Sequence, residues 1–111
     1  MVRICFSVQL DPSRLDDYRA RHAAVWPELL REIAAAGRRN YSIFLGGDGL
    51  LVGYYETDDD EAGAASLAAG PASARWEAEM KPFFRDVAGR VDQSARQLEL
   101  VFNLEEQQAR L

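Results

Sequence analysis

His22 is the chain's single histidine, and Tyr18 stands four residues before it, so on a helix the two side chains share a face one turn apart. Imidazole titrates at about pH 6.5 and supplies both an acid and a base form near neutrality, which makes His22 the candidate for general acid–base work. Trp26 follows four residues later, directly before Pro27. A polar pair beside an indole, next to a proline bend, describes a small pocket more than a packed core. The plainer account is a partly buried ring bonded to Tyr18 or to a main-chain carbonyl, and the residues alone leave both open. One histidine without a cysteine partner lacks the usual ligand set for a metal. A nucleophilic pair of Cys5 and His22 requires residues far apart in sequence to meet, and is set aside.

Trp76 is the second candidate. In an alanine-rich stretch a large side chain can simply fill the space the alanines leave, or its indole face can stack on the C–H face of a sugar. Glu77 and Tyr41 are the polar groups that could then fix the orientation of such a ligand. Asp58-Asp59-Asp60 and Glu105-Glu106 read as solvated faces, without the ligand spacing of a cation loop. Gly46-Gly47-Asp48-Gly49 has no helix after it, so it reads as a hairpin turn and not as a phosphate cradle.

These residues need elements to hold them. Ile4, Phe6, Val8 and Leu10 alternate with polar partners and predict a half-buried strand. Asp11-Pro12 then opens a helix whose apolar face carries Leu15, Tyr18, His22, Leu29 and Ile33. Pro27 predicts a kink, or a second helix that it opens, and Gly37 a left-handed cap. Strands over 41–45 and 50–55 flank the four-residue turn. Two helical segments, separated at Gly70-Pro71, follow the acidic run at Asp58–Glu61. A loop is expected over 88–96, a last strand over 97–104, and a polar tail, frayed or a short helix, over 105–111. The order β-α-β-β-α-β predicts an α+β, ferredoxin-like domain over 1–104, a four-stranded antiparallel sheet with its helices on one face. The other face carries Cys5, Ser7, Phe44 and Val101, and covering it with a second copy of the chain makes a homodimer the economical arrangement.

Composition bounds the partners. The chain has 111 residues, with 13 basic against 18 acidic side chains and a net charge of −5, which argues against nucleic acid. A single cysteine fits a reducing compartment, and no apolar run has the length of a membrane span. The start of the chain shows no signal-peptide pattern, so the expected location is the cytoplasm.

Tyr18-x-x-x-His22-x-x-x-Trp26-Pro27-Glu28-Leu29, Gly37-x-x-Asn40-Tyr41-Ser42-Ile43, Arg75-Trp76-x-x-x-Met80 and Leu98-Glu99-x-Val101-Phe102-x-Leu104 together resemble the L-rhamnose mutarotase family over nearly the whole chain. The resemblance implies a dimeric α/β-barrel type of ferredoxin-like protein that interconverts the α and β anomers of L-rhamnose. It also implies His22 as the proton-transfer residue and Tyr18, Tyr41 and Trp76 as sugar contacts; Trp26 and Glu77 join the expected binding set from the residue reading. Two positions depart from the family pattern. Glu77 stands where a second tryptophan is common, and Val91-Asp92-Gln93-Ser94-Ala95 stands where an Asn-Pro-Asp-Asn-Ser-Pro loop is common. A carboxylate in place of an aromatic ring exchanges stacking for hydrogen bonding, so the preferred sugar can differ while the reaction does not.

Anomer exchange through ring opening needs one proton delivered to the ring oxygen and one removed from the anomeric hydroxyl, and neither metal nor organic cofactor is required for it. His22 can serve either role; Tyr18, Glu77, a water or His22 itself in sequence remain for the other. The rival readings on the same fold are a non-enzymatic small-molecule-binding module and a cofactor-free monooxygenase.

Overall fold

The computed structural model describes residues 1–85 and 95–111. Most of the loop expected over 88–96, including positions 91–94 of the altered segment, lies outside the described residues.

The alternation of Ile4, Phe6 and Val8 builds β1 (Val2–Gln9), which runs through the middle of the sheet. On one side it pairs with β3 (Leu50–Thr57), setting Phe6 opposite Gly53 and Val8 opposite Leu51. On the other it pairs with β4 (Arg96–Leu98), and β2 (Arg39–Leu45) completes the order β2-β3-β1-β4. All of these pairings are antiparallel. The sheet and its order are the expected ferredoxin-like arrangement.

Each helical layer comes in two pieces, and a proline opens the second piece of each. Asp11 caps the first turn through its carboxylate, which accepts from the Ser13 N–H at 3.0 Å, and α1 (Leu15–His22) follows. Pro27 then starts α2 (Pro27–Ala35), where its missing N–H leaves no hydrogen bond unmade. The Asp59 carboxylate accepts from the Ala62 N–H at 3.0 Å and caps α3 (Asp60–Ala68). Pro71 starts α4 (Pro71–Met80). Leu10, Leu15, Tyr18, Leu51, Met80 and Phe83 form the buried cluster between sheet and helices.

The last strand is shorter than the alternation predicts. β4 ends at Leu98, residues 99–103 lie outside the ladder, and Leu104 belongs to α5 (Leu104–Gln108). Asn103 explains the switch: its side-chain oxygen accepts from the Glu106 N–H at 3.0 Å, an N-cap that turns the chain into a helix where Leu104 would have extended the strand. The helix is held to the sheet by an Arg3–Glu106 ion pair of 2.8 Å. Val101 is therefore not a sheet-face residue as expected; it is 85% exposed on the segment beyond β4.

Candidate active site

The last turn of α1 presents His22 to a cavity, and the helix itself fixes the state of the ring. The His22 Nδ1 lies 2.9 Å from the Tyr18 carbonyl oxygen. A carbonyl can only accept, so Nδ1 carries the proton in the neutral ring and Nε2 keeps its lone pair. The Tyr18 and His22 rings stack at 4.0 Å between centroids, and Trp76 meets His22 edge-on at 5.2 Å. Burial lowers the His22 pKa by penalising the imidazolium, and the bond to the Tyr18 carbonyl opposes part of that effect. The plainer account of His22, a ring bonded to a main-chain carbonyl, is thus correct as far as it goes; that bond uses one nitrogen and leaves the other.

Tyr18 is only 5% exposed. Burial, and after it the proximity of Tyr41 and Glu77, pushes its phenol well above the ordinary range. It therefore stays protonated and can act as a hydrogen-bond donor, not as a base.

Trp76 and Glu77 reach the same cavity from α4, which α2 holds in place. The Glu32 carboxylate of α2 accepts the Ala72 N–H at 2.9 Å and the Ser73 N–H at 2.8 Å. It thereby satisfies two donors that the start of α4 would otherwise leave unpaired. Gly70 makes this approach feasible, since a Cβ there would stand 2.2 Å from Glu32 Oε1. Sequence reasoning missed Glu32; a glycine directly before a proline-opened helix was the available sign that something approaches closely.

Trp26 is the one expected site residue that the structure keeps off the cavity wall. The bend at Pro27 gives Trp26 an extended backbone (φ −54°, ψ 132°), which carries it off the Tyr18–His22 face. Its ring packs edge-on against Trp76 at 5.1 Å, with the Arg75 guanidinium 5.3 Å from the ring centre. It buttresses Trp76 instead of lining the pocket.

A β-bulge brings Tyr41 in. Arg39 pairs with Glu56 and Ser42 with Tyr54, so Asn40 and Tyr41 together face one residue of β3. Asn40 takes the extra turn in the left-handed region at φ 50°, which asparagine tolerates better than most side chains. The bulge turns Tyr41 inward, where its ring lies 5.2 Å from Tyr55 and 6.4 Å from Phe6. It also sends Arg39 outward to Asp58 and leaves Arg38 buried against the sheet.

The result is a cavity of about 550 Å³, open to solvent and lined by Tyr18, His22, Tyr41, Trp76 and Glu77, with Arg38 and Ser73, among apolar neighbours. Five of the six expected site residues meet there. The volume suits a monosaccharide, with an indole and phenols to stack on a ring and a neutral imidazole to take a proton. Among the described residues, no group of three or more His, Cys, Asp or Glu side chains is arranged to hold a metal ion. No described helix is long and apolar enough to cross a membrane.

A model of the L-rhamnose mutarotase family matches residues 3–104. The chain belongs to that family. It is 35% identical to the L-rhamnose mutarotase of Oceanobacillus iheyensis over 86 residues, 77% of this chain and 82% of the relative. Its fold is similar to that of the L-rhamnose mutarotase from Formosa agariphila, with a TM-score of 0.77 at 24% identity, covering 94% of this chain and 99% of that one. The tetracenomycin F2 cyclase of Streptomyces glaucescens has a similar fold too, with a TM-score of 0.58 at 21% identity over 94% and 97% of the two chains. One fold thus serves different chemistries, and membership of the mutarotase family, not architecture, separates the readings. The chain is a sugar isomerase that interconverts anomers, as against a binding module or a monooxygenase.

Proposed function

We propose that the chain equilibrates the anomers of a 6-deoxyhexose, L-rhamnose first, with His22 as its proton-transfer residue. The supporting observation is the 2.9 Å contact that commits Nδ1 to the Tyr18 carbonyl while His22 lines the cavity. Nε2 accepts the proton of the anomeric hydroxyl as the bond between C1 and the ring oxygen breaks, giving the open-chain aldehyde. The imidazolium then returns that proton to the former ring oxygen. Both oxygens were bonded to C1, so one nitrogen serves them in sequence. Rotation about C1–C2 and the reverse steps close the ring on the opposite face. The protonated Tyr18 and Glu77 orient hydroxyls, and Tyr41 and Trp76 hold the ring of the sugar.

Positioned proton transfer contributes ~10²- to 10⁴-fold. His22→Ala should lower the exchange rate by a factor in that range and leave the fold intact, as read by anomer-resolved saturation-transfer NMR with L-rhamnose. Unchanged exchange with intact binding removes His22 from the mechanism.

The same reading takes the working unit to be a homodimer. Phe44 is 64% exposed on the sheet face away from the helices, and Phe102 is 60% exposed beyond β4. A second copy that buries both is the simplest cover. Residues 1–104 form the unit that carries the activity, with 105–111 as a tail. The single Cys5 fits the reducing cytoplasm as its location.

A further inference from the structure

Arg38 is a buried cation to which the mechanism gives no task. The residue is 8% exposed, and its Nε is buried with no hydrogen-bond partner. Among the described residues no ion pair includes it. The guanidinium lies 4.2 Å from the centre of the Tyr55 ring, a contact that offsets part of its charge and occupies none of its five N–H donors. Asp60, which lines the smaller cavity with Arg38, already receives the Tyr55 hydroxyl. Burying a guanidinium nitrogen without an acceptor, in a cation that no described carboxylate pairs with, is unfavourable, and a ligand that accepts from the group would offset the cost.

The position of Arg38 says what that use is. Phe6, Arg38 and Tyr41 line both the His22 cavity and a smaller one of about 160 Å³ that Tyr55, Asp60 and Gln97 complete. Arg38 therefore stands between the two cavities, in the wall of the His22 cavity and next to a residue expected to touch the sugar. Glu77 supplies an acceptor to the same cavity and Arg38 supplies donors. A polyhydroxylated ring, whose hydroxyls donate and accept, matches a cavity furnished with both.

We propose that Arg38 is a further substrate-binding and specificity-determining residue, whose guanidinium donates to an acceptor oxygen of the bound sugar away from the reacting C1. The inference rests on the sugar-isomerase reading of the cavity above. It assigns Arg38 to binding and not to proton transfer, because a guanidinium does not release its proton in a protein.

The test is titration of L-rhamnose into the whole protein, with exchange kinetics in parallel. Arg38→Met retains the length of the stem and removes the charge. It should weaken binding and raise KM by about 10- to 100-fold, the range for a lost hydrogen bond to a charged group, while kcat changes less than threefold. Its Tm should hold or rise, since an unpaired buried cation has been replaced by an apolar side chain. Arg38→Lys restores the charge without the planar fork and should recover part of the affinity; it also reads the proposal if the methionine variant does not fold. Among monodeoxy analogues of L-rhamnose, one should lose the same factor against wild type and lose nothing further against Arg38→Met. Binding by Arg38→Met equal to wild type, or no analogue coupled to Arg38, overturns the inference and leaves the role of His22 standing. Wild-type protein that binds no sugar overturns both.

Discussion

Among single residues, the cavity keeps His22 and Tyr18 neutral. Burial removes solvation from the imidazolium of His22 and from the phenolate of Tyr18, so one pKa falls and the other rises, and both side chains are uncharged around neutrality. Tyr18→Phe tests the donor role directly: it keeps the ring stacked on His22 and deletes only the hydroxyl. We expect KM for L-rhamnose to rise by about 3- to 10-fold, the value of a neutral hydrogen bond, with Tm little changed. An unaltered KM in steady-state kinetics would assign Tyr18 to the core alone. Tyr18, His22, Tyr41, Trp76 and Glu77 were legible in the sequence because helical spacing and strand position place them. Trp26 was misplaced, and the burial of Arg38 went unread, for one reason: each sits beside a backbone irregularity, the Pro27 bend or the Asn40 bulge. Strict alternation puts Arg39, not Arg38, on the face of Tyr41, and the bulge reverses that.

Among elements, the junction of α2 with α4 sets how accurately Trp76 meets His22. Glu32 joins the two helices through two main-chain N–H groups, and no local propensity encodes that contact, since it spans 40 and 41 residues of sequence. Glu32→Ala leaves both donors and the start of the helix uncompensated and should destabilise the protein by about 1–3 kcal/mol in chemical denaturation. It should also raise KM, because Trp76 loses its anchor; a loss of stability without any change in KM would confine Glu32 to a structural role. Helix boundaries were readable from Asp11, Pro27, Asp59 and Pro71, which act within a turn of their own position. The end of β4 was not, since alternation in residues 97–104 is compatible with a strand and only the Asn103 cap decides otherwise.

For the molecule as a whole, the exposed apolar residues are unevenly distributed. The helical face of the sheet is covered by the core cluster and the cavity beside it, whereas Phe44 and the segment through Val101 and Phe102 face solvent in a single chain. At about 25 cal/mol per Å² of apolar area removed from water, covering rings of this size is worth several kcal/mol in each subunit. Sedimentation equilibrium at micromolar concentration should therefore give a dimer, and Phe102→Glu should shift it toward monomer. A wild-type chain that stays monomeric at those concentrations contradicts the arrangement. The net charge of −5 predicts no retention on nucleic acid and does not disturb association driven by apolar burial.

In the proposed reaction one neutral imidazole, protonated at Nδ1, moves the proton. Because His22 is the chain's single histidine, its ¹⁵N imidazole signals need no assignment, and a pH titration of them can be set beside the pH dependence of exchange. The folded pKa lies below the ordinary value of about 6.5, so protonation favours the unfolded chain, and stability as well as activity should decline as pH falls through that region. We expect an Nδ1–H tautomer above that pKa and an exchange rate that rises with pH to a plateau, with its midpoint at the His22 value. An Nε2–H tautomer, or a rate that does not follow the ionisation of His22, would contradict it.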